Sequence, residues 1–160
     1  SYRWCNVLHK FSRMIDTDFE IQSRNFLKSK NSMTEQIQQV YDFQVTYNQP
    51  IAFMPQIPSL DRCTLHQKLL QEEVTELEDA WMNGDLVEVA DAITDCLYIL
   101  FGTAIEFGLQ NKLVECFNEV QRSNMSKLDN EGNPIFRADG KIMKGENYSP
   151  PNLAKIISAT

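Results

Sequence analysis

The sequence predicts an all-α protein: a helical bundle with an irregular C-terminal loop or hairpin. Three observations carry this expectation. Apolar residues recur at helical spacing in four segments between residues 34 and 123. Helix stops separate the longest of them, at Asn83-Gly84 and at Gly108. No repeat or low-complexity tract interrupts the pattern. At 160 residues the chain is long enough to bury a core as one domain without disulfide staples. Its 42% hydrophobic and 23% charged content excludes wholesale disorder.

In chain order, residues 1–32 mix Trp4, Phe11 and Phe19 with basic residues and no clean period, and read as an N-terminal extension to a domain of 33–160. From Thr34, a candidate N-cap, the spacing of Ile37, Val40, Tyr41 and Phe43 fits a helix to Tyr47. The segment NQPIAFMPQIP, with three prolines, reads as a loop. Ser59 caps a long helix that runs to Met82. Asp85 opens the next, which runs to Phe107, and a further helix covers Gln110 to Ser123. Beyond Met125 the Gly-, Asn- and Pro-rich texture reads as loop or short hairpin, with a last short helix over Leu153–Ser158.

Charge and cysteine content narrow the function classes. The net charge of -7 argues against a nucleic-acid polymer as partner, because duplex binding needs a basic patch that displaces counterions. The uncharged stretch Cys96–Ile105 has ten residues, about half of what a membrane-spanning helix needs, so no membrane association is expected. Cys5, Cys63, Cys96 and Cys116 show no C-x-x-C spacing, and the two histidines, His9 and His66, lie far apart. Disulfides and a zinc site are therefore not expected, and a reducing, cytoplasmic compartment is.

The carboxylates are the informative residues. On a 100° helical wheel with Glu73 at 0°, Leu69, Ala80, Leu77 and Leu70 fall between about 320° and 60°, so Glu73 sits inside the apolar sector. Glu76 borders that sector near 300°, and Glu72 lies one step further out near 260°. A lone carboxylate facing a core is costly unless a cation or donor compensates it. Neither i+4 nor i−4 from Glu73 supplies one, since Leu77 and Leu69 stand there. The next helix carries Glu88, Asp91 and Asp95 in one stripe. Because residues 96–105 are uncharged all round, that helix is expected to be covered on both sides, with its acids facing a second packed layer. Blander readings stand beside these: Asp85-x-x-Glu88 has the spacing of a capping box, and acidic runs on helices are usually solvated faces. An antiparallel pair joined at Asn83-Gly84-Asp85 would bring the two stripes together. Converging carboxylate oxygens want a hard cation, and Mg²⁺ fits.

Glu72-Glu73-x-x-Glu76 followed by Glu88-x-x-Asp91, with ADAITDCLYILFGTAIEFGL, RSNMSK and KGENYSPPNL downstream, resembles the all-α nucleoside triphosphate pyrophosphohydrolases. These are the MazG-like family, related to phosphoribosyl-ATP pyrophosphohydrolase and the dimeric dUTPases. The likeness covers roughly residues 34–157. It implies Mg²⁺-dependent hydrolysis (with Mn²⁺ as substitute) between the α- and β-phosphates of a nucleotide, giving a monophosphate and pyrophosphate. It further implies that Glu73, Glu76, Glu88 and Asp91 are the principal metal ligands, with Asp95 as helper. Glu72 would bind a further metal or activate water. Arg122, Lys127 and Lys141 would contact phosphates, Asn124 the base or ribose, and Tyr148 the substrate; Arg122 and Lys141 are otherwise plain surface charge. A (deoxy)nucleoside triphosphate in nucleotide-pool housecleaning is the expected substrate, with phosphoribosyl-ATP hydrolysis in histidine synthesis as the alternative. A third reading is a non-catalytic helical interaction module, which would show by loss of a motif acid, and none is lost. The apolar surface of the 86–107 helix leads to an expected homodimer or dimer of dimers.

Overall fold

A computed structural model of the chain describes residues 33–159. The chain divides into two units between Glu35 and Gln36. The readings made on residues 1–32, including Trp4, Cys5 and His9, lie outside the described residues.

Five helices make up the described residues, with no strand among them: α1 (Met33–Thr46), α2 (Leu60–Met82), α3 (Leu86–Glu106), α4 (Leu113–Met125) and α5 (Leu153–Ser158). The all-α expectation is met. Between α4 and α5 the chain forms one isolated antiparallel bridge, Phe136 with Ile142. None of these helices is long and apolar enough to cross a membrane.

The architecture is organised by the α2–α3 hairpin. Two backbone features make its turn. Gly84 adopts φ +70°, a left-handed conformation that a side chain would strain. Asp85 then caps α3, its carboxylate accepting from Val87 N at 3.0 Å and Glu88 N at 3.1 Å. The capping box is only half made: the Asp85 N–H bonds to the Ala80 carbonyl at 3.0 Å. Glu88 has no backbone donor to serve there, and its carboxylate is free for other work. Ser59 occupies the N-cap position of α2 without a side-chain capping bond, and Thr34 lies inside α1 rather than before it.

The far end of α3 is locked to the proline-rich loop. Gly108 sits at φ +71°, and a Cβ there would stand 2.0 Å from the Met54 carbonyl oxygen. Ala52 N bonds to Ile105 O, Gln56 N to Phe107 O, and the Gln110 side chain to Ala52 O at 2.8 Å. α4 begins at Leu113 rather than Gln110, because residues 110–112 form a turn in which Lys112 N bonds to Leu109 O at 2.9 Å. Ile37, Val40, Ala52, Ala104 and Ile105 form the buried core at this end.

The other expectation about α3 is not met within one chain. Its buried residues are Ala92 and, near the C-terminal end, Gly102, Ala104, Ile105 and Glu106, while Ile93, Leu97 and Leu100 remain 46–48% exposed. Cys63, Cys96 and Cys116 are free thiols.

Candidate metal and phosphate site

The hairpin sets acids of both helices around Glu73. Glu73 is half-buried, and its Oε2 is a buried oxygen without a hydrogen-bond partner. Burial pushes its carboxyl above the ordinary value, and the negative charges of Glu76, Asp95, Asp91 and Glu72 push it further the same way. Every charge that acts on Glu73 is thus a carboxylate, and two come from each helix. Asp95 is half-buried, whereas Glu72, Glu76, Glu88 and Asp91 are exposed. Glu88 joins through Glu76: both line a polar hollow of about 280 Å³ between the end of α2 and the start of α3, with Asp79 and Asp85. Among the described residues, none of these six acids forms an ion pair. The neighbouring Cys96 thiol is pushed up by burial and by Glu73 and Asp95.

Such a set is all-oxygen, net negative and uncompensated. A hard divalent cation is the species whose chemistry matches it. Among the described residues, no three His, Cys, Asp or Glu side chains are close enough to hold an ion by themselves. The acids line an open surface rather than a cage. Mg²⁺ suits an open surface, because it keeps several waters and takes part of its ligand set from substrate phosphates.

The residues expected on the substrate side fall into two groups. Lys127, Tyr148 and Ser123 come together: the Ser123 hydrogen bond, then the charges of Lys144 and Lys127, hold the Tyr148 phenol below its ordinary value. Lys144 Nζ lies 4.4 Å from the Tyr148 ring centroid, a cation–π contact. Sequence reasoning missed Lys144, although it opens the KGENYSPPNL segment already singled out. Asn124 is exposed on the last turn of α4, and Lys141 is exposed in the tail.

Arg122 belongs to the second group. Its Nε and Nη2 both bond Glu119 at 2.8 Å, and its remaining donors reach Ser149 Oγ and the Pro150 carbonyl. Glu119 also accepts from Asn152 N, and its carboxyl is held down at about 2 by the Arg122 and Asn152 hydrogen bonds. Arg122 therefore clasps the C-terminal segment to α4.

At the other end of the hairpin lies a polar knot that the sequence did not disclose. Glu106, its side chain 1% exposed, is bound bidentately by Arg62, through Nε at 3.1 Å and through Nη2. His66 Nε2 stands 3.1 Å from Glu106 Oε2, off the hydrogen-bonding direction, and its Nδ1 lies 3.1 Å from the Thr103 hydroxyl. Burial alone would raise the Glu106 carboxyl. The Arg62 and His66 contacts outweigh it and hold Glu106 below the usual range. Forty-four residues separate Arg62 from Glu106, so no local spacing rule could have paired them.

No curated protein matches the chain. The family model for phosphoribosyl-ATP pyrophosphohydrolase matches residues 40–124, over half of the chain, from α1 to the last turn of α4 and including all six acids. The chain belongs to the phosphoribosyl-ATP pyrophosphohydrolase family, within the MazG-like all-α superfamily, and carries a pyrophosphohydrolase domain.

Proposed function

We propose that the protein is a Mg²⁺-dependent nucleotide pyrophosphohydrolase acting on (deoxy)nucleoside triphosphates. The observation that carries this reading is Glu73: a buried, unpartnered carboxylate oxygen at the centre of acids from two antiparallel helices. Glu73, Glu76, Glu88 and Asp91 would hold the metal, with Asp95 behind them. Bound Mg²⁺ (or Mn²⁺) supplies charge neutralisation and polarises the phosphoryl oxygens. Glu72, exposed beside the cluster, accepts a proton from the water that attacks the α-phosphorus. The bond from that phosphorus to the bridging oxygen breaks, and pyrophosphate leaves with the electron pair. Lys127 and Lys144, gathered at Tyr148, would meet phosphate oxygens as flexible point charges.

The test is pyrophosphate release by the purified chain with Mg²⁺, across a panel of nucleotides. Release from at least one triphosphate, abolished in Glu73→Gln, supports the reading. Release indifferent to Glu73→Gln removes that residue from the chemistry. The family match favours a second reading, phosphoribosyl-ATP as substrate, and that compound belongs in the panel.

Self-association is part of the proposal. Leu97, Leu100, Trp81 and Phe117 are 46–61% exposed, more apolar surface than a lone domain usually leaves to water. A homodimer or dimer of dimers would cover it, in a nucleotide-handling role in the cytoplasm. A monodisperse monomer by light scattering would count against this.

A further inference from the structure

The segment from Lys144 to Ala159 returns antiparallel along α4 and is tied to it at successive points. Gly145 N bonds to Lys127 O at 3.0 Å, Ser149 N to the Ser126 hydroxyl at 2.8 Å, and Asn152 N to Glu119 Oε1 at 2.9 Å. At the start of α4, Lys112 Nζ bonds Ala159 O at 2.7 Å. The seam is tight: a Cβ at Gly145 would stand 2.1 Å from the Leu128 carbonyl oxygen. Its middle is the Glu119–Arg122 pair. Of the five guanidinium N–H groups, four are spent: two on Glu119, one on Ser149 Oγ and one on the Pro150 carbonyl. A planar fork can hold a carboxylate on one side and a crossing chain on the other; a lysine ammonium cannot.

We infer that Glu119 and Arg122 form a positioning pair: through Ser149, Pro150 and Asn152 they fix the segment that sets Lys144 and Tyr148 beside Lys127, and neither touches substrate. The inference rests on the pyrophosphohydrolase reading, which gives Lys127 and Lys144 the phosphate oxygens. Residues 143–152 belong to no helix or strand, so no helical ladder fixes Lys144 and Tyr148. The seam does that instead. A lysine on a flexible stem serves a phosphate only where its backbone has been put. The resemblance offers Arg122 another role, direct contact with phosphate. The two roles give opposite signs when Glu119 loses its charge. Released from Glu119, a phosphate-binding Arg122 would hold an anion more strongly. A positioning Arg122 would lose its anchor, and with it the placement of the lysines.

The experiment measures KM and kcat for Glu119→Gln, Arg122→Met and the double variant, on the triphosphate that the wild type cleaves best. Hydrogen exchange of the Gly145 and Ser149 amides is followed alongside. The expected result is a KM raised at least about ten-fold in each single variant with kcat within about two-fold, and faster exchange at both amides. The double variant should be no worse than the worse single one, because both substitutions open the same clasp. A KM lowered or unchanged in Glu119→Gln overturns the inference, and a raised KM confined to Arg122→Met then makes that residue a phosphate contact. Should Arg122→Met fail to fold, the direction of the Glu119→Gln change decides alone. If no nucleotide yields pyrophosphate, the hydrolase reading fails separately, and calorimetry with inorganic pyrophosphate and Mg²⁺ takes its place. Binding weakened in Glu119→Gln keeps the positioning pair, and binding as tight as that of the wild type overturns it.

Discussion

The two ends of the α2–α3 hairpin treat the same chemical group in opposite ways. Glu106 is almost wholly buried, yet Arg62 and His66 hold it ionised with its carboxyl below the ordinary range. Glu73 is less buried, yet its carboxyl is raised, because only other acids surround it. The difference is the counter-charge, not the depth. Where the protein supplies its own cation, the carboxylate is finished structure that holds Arg62 in place. Where only carboxylates surround it, the carboxyl is pushed towards its neutral form. Burial costs both ends; only one is compensated by cationic side chains of this chain.

The sharpest break of this contrast is Glu73→Gln. It is expected to lower pyrophosphate release by about 10²-fold or more, the scale of losing a preorganised electrostatic contact at a reacting centre. In EDTA the same change should raise Tm by about 3 °C, as relief of ~1 kcal/mol would in a domain this size. Glu106→Ala has the converse signature. It strands Arg62 and His66, costs roughly 3 kcal/mol and lowers Tm by about 9 °C. Circular dichroism melts of the two variants read both signs in one experiment.

Acid sharpens the same comparison. The Glu106 carboxyl is depressed, so its stabilisation is complete above the unfolded value near 4.5 and is lost as pH falls through the lower folded value. The Glu73 carboxyl is raised, so its favourable contribution is present below 4.5 and is lost as pH rises through the higher folded value. Mg²⁺ should therefore raise Tm more at neutral pH than near pH 4, where protons compete for the same carboxylates. Glu73→Gln should abolish most of that metal response. A Tm insensitive to Mg²⁺ at pH 7 would remove the case for a metal at this end. The smallest expected effect is that of Gly84→Ala. Forcing a side chain into φ +70° costs about 1 kcal/mol and leaves the Mg²⁺ response in place, because the turn sets the register of both ends without belonging to either.

Much of one end was legible in the sequence. The placement of Glu73 among Leu69, Leu77 and Ala80 follows from the helical repeat alone, and so does the stripe of Glu88, Asp91 and Asp95. The stops at Gly84 and Gly108 are local too, since each demands a positive φ that few residues adopt. What local rules left out were tertiary bonds. Gln110 was read as helix; it lies in a turn, and its side chain bonds the Ala52 carbonyl. Arg122, which the resemblance offers as a phosphate ligand and which is otherwise surface charge, also clasps Ser149 and Pro150, a contact no local spacing discloses. Asp85 and Glu88 had the spacing of a capping box, and the Ala80 carbonyl took the donor that Glu88 would have served.

What the sequence determined by itself was which side chains share a helical face, because helix geometry repeats over three or four residues and needs no knowledge of the rest of the chain. The tertiary structure alone decided which faces meet. Arg62 finds Glu106 because the antiparallel register aligns the start of α2 with the end of α3. The same register gathers Glu73 with Asp91 and Asp95. Pairing across a hairpin depends on turn geometry and on packing summed along two long helices, and no short window of residues contains that sum.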